Sequence, residues 1–300
     1  MNYTNVVFEG GGVLGIAYVG CIKILHEKGI LQNIKNFAGT SVGSLIASLL
    51  ACKCSPDKLE NILKTLDFNI FKDDSFFIIG DIERLLNDYG WYKGEKFKEY
   101  YESILKEITG TSELTFKDIF EKYGNELIVV GTNLSRKSAT YFSKTNCPNM
   151  KVSDAVRISM SIPLFFKSVK LYNKNEKTTD IYVDGGLIDN YPLWIFDEND
   201  EPNPNTIGFK LLSTSEMKEK VIGKPSFISI DGIVDYFKAL VETSLYNLNK
   251  LHIKTNDWNR TVAIPIGNIS SINFDLTDDE KDFLFTSGMF ATKNFLEKSI

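Results

Sequence analysis

The chain is poor in the residue types that usually give an active site away. Histidine occurs twice, as His26 and His252, and no motif surrounds either one. Neither is therefore marked as the histidine of a Ser–His–Asp triad. Four cysteines, Cys21, Cys52, Cys54 and Cys147, form no disulfide framework, and they fit a reducing compartment. Cys52 and Cys54 are separated by a single residue, which is neither a zinc pair nor a C-x-x-C redox motif. No metal set stands out, and no cofactor is expected. An excess of positive charge is missing too: 34 Lys and Arg face 39 Asp and Glu, for a formal net charge of −5. That argues against nucleic acid as a partner and against simple electrostatic capture by anionic membranes. No apolar run reaches the length of a membrane span. No leader is apparent, since Met1-Asn2-Tyr3-Thr4 runs straight into the first strand, so a cytoplasmic location is expected. Leaderless export is compatible with this. Internal repeats and long low-complexity tracts are absent.

What remains is ordinary globular material. Hydrophobic residues make up 43% of 300 and charged residues 24%, enough for a large core. Strands are expected near 5–8, 34–38, 127–131, 138–142, 166–171, 180–184, 206–211 and 260–264. Helices are expected near 13–28, 41–53, 56–65, 81–88, 94–108, 115–122, 153–160, 230–250 and 277–298. Strands alternating with helices in the early part imply an α/β fold, with a mostly parallel sheet between helical layers in an α/β/α sandwich. One domain over 1–300 is expected, with its core at about 4–211 and elements from 225–300 packed on it. Pro202-Asn203-Pro204-Asn205 reads as a loop, not a linker.

Three glycine-rich motifs carry the chemistry. Asn5-Val6-Val7-Phe8 reads as a buried strand, and Gly10-Gly11-Gly12-Val13-Leu14-Gly15 follows at once. Gly39-Thr40-Ser41-Val42-Gly43 sits between a strand and an apolar helical stretch, the context of a nucleophile elbow. Gly39 and Gly43 would keep side chains out of a crowded turn. The helix starting at Ser41 would aim its positive end at the serine oxygen. Asp184-Gly185-Gly186 supplies a carboxylate. Nucleophile, base and backbone N–H donors are the components that acyl transfer from an ester requires. Two blander readings compete. Gly39–Gly43 could be a strand-to-helix turn with a serine N-cap. The first glycine loop formally fits a dinucleotide-binding fingerprint, but the acidic residue which that fingerprint needs after the next strand is absent.

These motifs, in this order, resemble the patatin-like phospholipases, serine acyl hydrolases with a Ser–Asp dyad. Smaller similarities fill the interval. They are Asp88-Tyr89-Gly90-Trp91-Tyr92-Lys93-Gly94, Thr115-Phe116-Lys117-Asp118-Ile119 and Leu127-Ile128-Val129-Val130-Gly131-Thr132-Asn133-Leu134. Ala155-Val156-Arg157-Ile158-Ser159-Met160-Ser161-Ile162-Pro163 and Asp184-Gly185-Gly186-Leu187-Ile188-Asp189-Asn190-Tyr191-Pro192 continue the likeness. The resemblance implies Ser41 as nucleophile, Asp184 as base, and Gly10, Gly11 and Gly12 as oxyanion donors. Gly15, Gly39, Gly43, Gly185 and Gly186 support the motifs. Many family members carry Arg or Lys where this chain has Leu14, but the loop's N–H groups do not depend on that side chain. Asp180 and Asp189 are rival bases. The first lies beside the charged stretch Lys174–Lys177 and reads as a solvated strand start; the second lies in a loop. The implied substrate is a phospholipid or lysophospholipid. Peripheral membrane contact and a protein activator are compatible with it. A soluble-ester or thioester hydrolase and a silent binding module are the alternatives. Two segments could meet a lipid: the Phe- and Ile-rich stretch Phe68–Ile79, which reads either as a loop packed over the core or as a flap that admits acyl chains, and the helix at 230–250, which reads more readily as core.

Overall fold

In a computed structural model of the chain, residues 2–66, 89–174, 176–199, 201–214 and 255–298 are described, with a few isolated positions between 216 and 243. The helix expected at 81–88 and the apolar stretch 68–79 lie outside these residues, as does all but isolated positions of 230–250.

Short β-branched and apolar runs become the central strands. These are β1 (Asn5–Phe8), β2 (Asn36–Thr40), β4 (Glu126–Asn133), β9 (Thr206–Ser213) and β10 (Thr261–Gly267). They lie in the order β10-β9-β1-β2-β4, all parallel. Antiparallel strands complete the eight-stranded sheet: β5 (Ser138–Ser143), β7 (Val169–Asn173) and β8 (Thr178–Asp184). A parallel sheet must be covered on both faces. Val6, Phe8, Phe37, Leu127, Val129 and Phe209 point to one face, into the main core. That core also takes in α1 (Ile16–Glu27), α2 (Val42–Ala51) and α3 (Pro56–Thr65). It continues through α4 (Glu95–Thr109), α5 (Phe116–Tyr123), α6 (Val152–Ser159) and α7 (Asp278–Lys298). Val7 and Ala38 point the other way, against Tyr191 and Leu193, where the 3-10 helix Leu193–Phe196 covers the sheet. The mixed α/β class, with helices flanking a mostly parallel sheet, is as expected. The late elements pack on the early ones: β10 extends the sheet beside β9, and α7 lies along α1.

Helix boundaries follow local chemistry. Ser55 caps α3 by accepting the Lys58 N–H at 3.3 Å, with Pro56 in the first turn. Thr115 and Asp118 close a capping box on α5. Two expected strands differ. The strand expected at 34–38 is displaced to Asn36–Thr40, because Ile34 closes a 3-10 turn. The strand expected at 166–171 is two strands. β6 (Leu164–Phe166) pairs with β3 (Gly90–Tyr92) in a separate small sheet. Lys167 then donates its N–H to the Tyr92 carbonyl, and only from Val169 does the chain join β8. Among the described residues no helix is long and apolar enough to cross a membrane.

Candidate active site

The sheet register brings the motifs together. Thr40 of β2 is the partner of Val130 on β4, and Asp184 of β8 is the partner of Gly131, one residue on. β5 pairs with β4 from Ile128 to Asn133 and so occupies the opposite edge. β2 and β8 therefore share one edge, approach from opposite directions, and end face to face. Both chains leave the sheet there, β2 into α2 at Ser41 and β8 into a 3-10 turn at Gly185.

Ser41 sits at the N-cap of α2 with φ 52 and ψ −128, a strained backbone for a side-chain-bearing residue. The turn holds because its flanks are glycine. A Cβ at Gly43 would stand 2.7 Å from the Glu9 carbonyl oxygen, and one at Gly39 would stand 2.7 Å from Ser44 N. All ten residues of α2 are buried, so the helix cannot shift to relieve the strain.

Asp184 is 5% exposed and Ser41 4%. Burial pushes the Asp184 carboxyl up to about 7, while the Gly186 N–H and the Ser41 hydroxyl draw it down. Gly186 donates to Oδ1 at 2.7 Å. Among the described residues Oδ2 has no hydrogen-bond partner, so the Ser41 contact is longer or less well aimed than an ordinary bond. Such contacts often tighten only when substrate binds. The site holds a buried carboxyl with one open oxygen beside a strained serine.

The glycine loop lies alongside. Gly10 donates its N–H to the Asn190 carbonyl at 3.0 Å, and Asn190 Nδ2 returns a bond of 3.3 Å to the Gly10 carbonyl. Of the three glycines expected as donors, Gly10 thus has its amide engaged. Among the described residues nothing accepts from the N–H of Gly11 or Gly12, and both residues are only partly buried. Gly15 packs against Val42 of the elbow helix, and Gly185 sits between Val130 and Thr40.

Sequence reasoning missed several supports. Glu9, just before the loop, is buried and ion-paired with Lys210, and accepts the Leu211 N–H at 2.8 Å. Thr40 Oγ1 donates to the Asp189 carbonyl at 2.9 Å. Ser159 Oγ accepts the Ser41 N–H at 2.9 Å. The block Ala155–Pro163 contained Ser159, but nothing in it named the partner. The rival carboxylates are held elsewhere. Asp180 is gripped by Arg136 and Asn133, and Asp189 Oδ2 accepts from Tyr141 at 2.9 Å and Trp194 at 3.0 Å. His26 is exposed in the last turn of α1, and His252 lies outside the described residues. Burial raises the thiols of Cys21 and Cys52 to about 12 and that of Cys54 to about 11, too high for a reactive thiolate. Among the described residues no His, Cys, Asp and Glu cluster could hold a metal.

The pattern defining patatin-like phospholipases matches residues 6–197. The chain belongs to that family, and with it to the lipid ester hydrolases. It is 32% identical over 298 residues to the uncharacterized protein R571 of Acanthamoeba polyphaga mimivirus, covering 99% of this chain and 94% of that one. It is 28% identical over 191 residues to the probable lipid hydrolase 463L of Invertebrate iridescent virus 6, covering 64% and 62%. In fold it is similar to the crystal structure of VipD from Legionella pneumophila, with a TM-score of 0.64 and 16% identity. That match covers 100% of this chain and 67% of VipD.

Proposed function

We propose that the protein cleaves carboxyl esters of glycerophospholipids or lysophospholipids through an acyl-enzyme on Ser41. The Asp184 carboxylate takes the proton from Ser41 Oγ as the oxygen attacks the acyl carbonyl. The N–H groups of Gly11 and Gly12, with the positive end of α2, steady the oxyanion of the tetrahedral intermediate. As that intermediate collapses, the protonated Asp184 returns its proton to the leaving alcohol and the acyl group stays on Ser41. Water then attacks the acyl-enzyme, Asp184 takes its proton, and the fatty acid leaves as Ser41 Oγ is reprotonated.

The observation carrying this reading is the meeting of β2 and β8 on one edge of β4, which sets Ser41 beside a buried carboxyl with an open oxygen. A pKa near 7 suits a base working at neutral pH. The lipid character of the substrate rests on family membership. The test is a digest of mixed phospholipids read by mass spectrometry, with Ser41→Ala in parallel. Free fatty acid and lysophospholipid released only by the intact serine are expected. Release from monomeric soluble esters alone, with no rise above the micelle threshold, would replace the lipid substrate with a soluble one. Equal activity in the alanine variant would overturn the nucleophile.

A further inference from the structure

Ser159 ends α6 and is fully buried. Its hydroxyl accepts the Ser41 N–H at 2.9 Å and donates to the Val130 carbonyl at 2.5 Å. The two groups it joins are neighbours in the sheet register, since Val130 is the partner of Thr40. The hydroxyl thus stands between the strands at the point where β2 leaves the ladder, using its one donor and one of its acceptor sites. Several hydroxyls in or just after helices bond back to their own chain instead. Ser161 bonds back to the Arg157 carbonyl at 2.7 Å, Ser48 to Leu45 at 2.6 Å, and Thr292 to Gly288 at 2.8 Å. That back-bonding is the common habit of serine and threonine near a helix. Ser159 instead reaches out of its helix to the nucleophile's own backbone. The seat is tight, because a Cβ at Gly131 would meet Ile158 at 2.9 Å.

We propose that Ser159 is a positioning residue for the nucleophile. It takes the Ser41 amide out of the strand ladder and holds it so that the strained turn keeps Ser41 Oγ directed at Asp184. It also supplies the Val130 carbonyl with a donor where β2 leaves the sheet. The same bond commits the Ser41 N–H, which leaves oxyanion binding to other amides. The proposal rests on Ser41 being the nucleophile, and the test separates the two.

Wild-type protein is first treated with a fluorophosphonate; absence of a Ser41 adduct defeats the nucleophile reading itself. Hydrogen exchange then reads the positioning bond without any need for activity. In Ser159→Ala the Ser41 amide should exchange at least about tenfold faster, with the later amides of α2 unchanged. The limiting rate of phosphonylation should fall by about 10- to 100-fold while the half-saturating probe concentration stays within about threefold. Ser153→Ala, which removes another buried hydroxyl from the same helix (bonded to Glu102 at 2.9 Å), is the structural control. It should lower the melting temperature comparably and leave the labelling rate within about twofold. If Ser159→Ala does not fold, Ser159→Cys carries the same comparison. Unchanged Ser41 exchange, an unchanged labelling rate in the Ser159 variant, or an equal loss in Ser153→Ala would each overturn the proposal.

Discussion

Two aspartates four residues apart on β8 are equally hidden, each about 5% exposed, yet the strand treats them in opposite ways. Asp180 is clasped: Arg136 Nε donates to it at 2.6 Å and Asn133 Nδ2 at 3.0 Å. The guanidinium holds its carboxyl below the usual range. Among the described residues no cation stands beside Asp184. One oxygen takes the Gly186 N–H, the other is open, and burial lifts the carboxyl to about 7. Burial acts on both carboxyls in the same direction; at Asp180 the Arg136 guanidinium outweighs it, and at Asp184 nothing among the described residues does. An ion-paired carboxylate has already found its proton substitute, whereas an unpaired one is free to accept a proton.

The contrast can be broken most sharply by removing the open carboxylate. Asp184→Asn should lower kcat/KM for phospholipid by about 10²- to 10⁴-fold, and Ser41→Ala by at least as much, each protein remaining folded by circular dichroism. A next test is the pH profile. With a base titrating at about 7, kcat/KM should fall roughly tenfold per pH unit below that value and level off above it. Stability should run the other way. The folded pKa lies above the unfolded one, so the native state holds the proton more firmly, and its stability declines as pH rises from about 4 to about 7. Asp184→Asn escapes that decline, so its melting temperature relative to wild type should be higher at pH 8 than at pH 5; no change in this difference would deny the raised pKa. Asp180→Asn should lower the melting temperature and leave kcat within about twofold, because its partners are structural. The smallest effect belongs to histidine: His26→Ala and His252→Ala should each stay within about twofold of wild-type activity, and a several-hundredfold drop in either would reveal a triad.

Much of this could be read along the chain. Val6-Val7-Phe8 and Phe37-Ala38 are apolar enough to mark buried strands, and the glycines around Ser41 marked a turn that only small residues tolerate. Asp184 stood out from Asp180 because glycines follow it. What could not be read depends on partners distant in sequence. Residues 164–173 look like one strand, but Tyr92 and β8 each claim a part, and the chain changes sheets between them. Gly10, Gly11 and Gly12 look alike, yet Asn190 engages the amide of the first. Ser159 reads as one small residue among several on a helix, and its bond to Ser41 exists only once α6 lies across β4.

The edge of β4 where two strands end nose to nose also bears on how the molecule comes into being. On the proposed mechanism, a chain still emerging from the ribosome carries its hydroxyl long before β8 has been made. Until that late strand is laid down antiparallel, the early half is chemically idle. On that mechanism, ester cleavage arrives only together with assembly of the sheet.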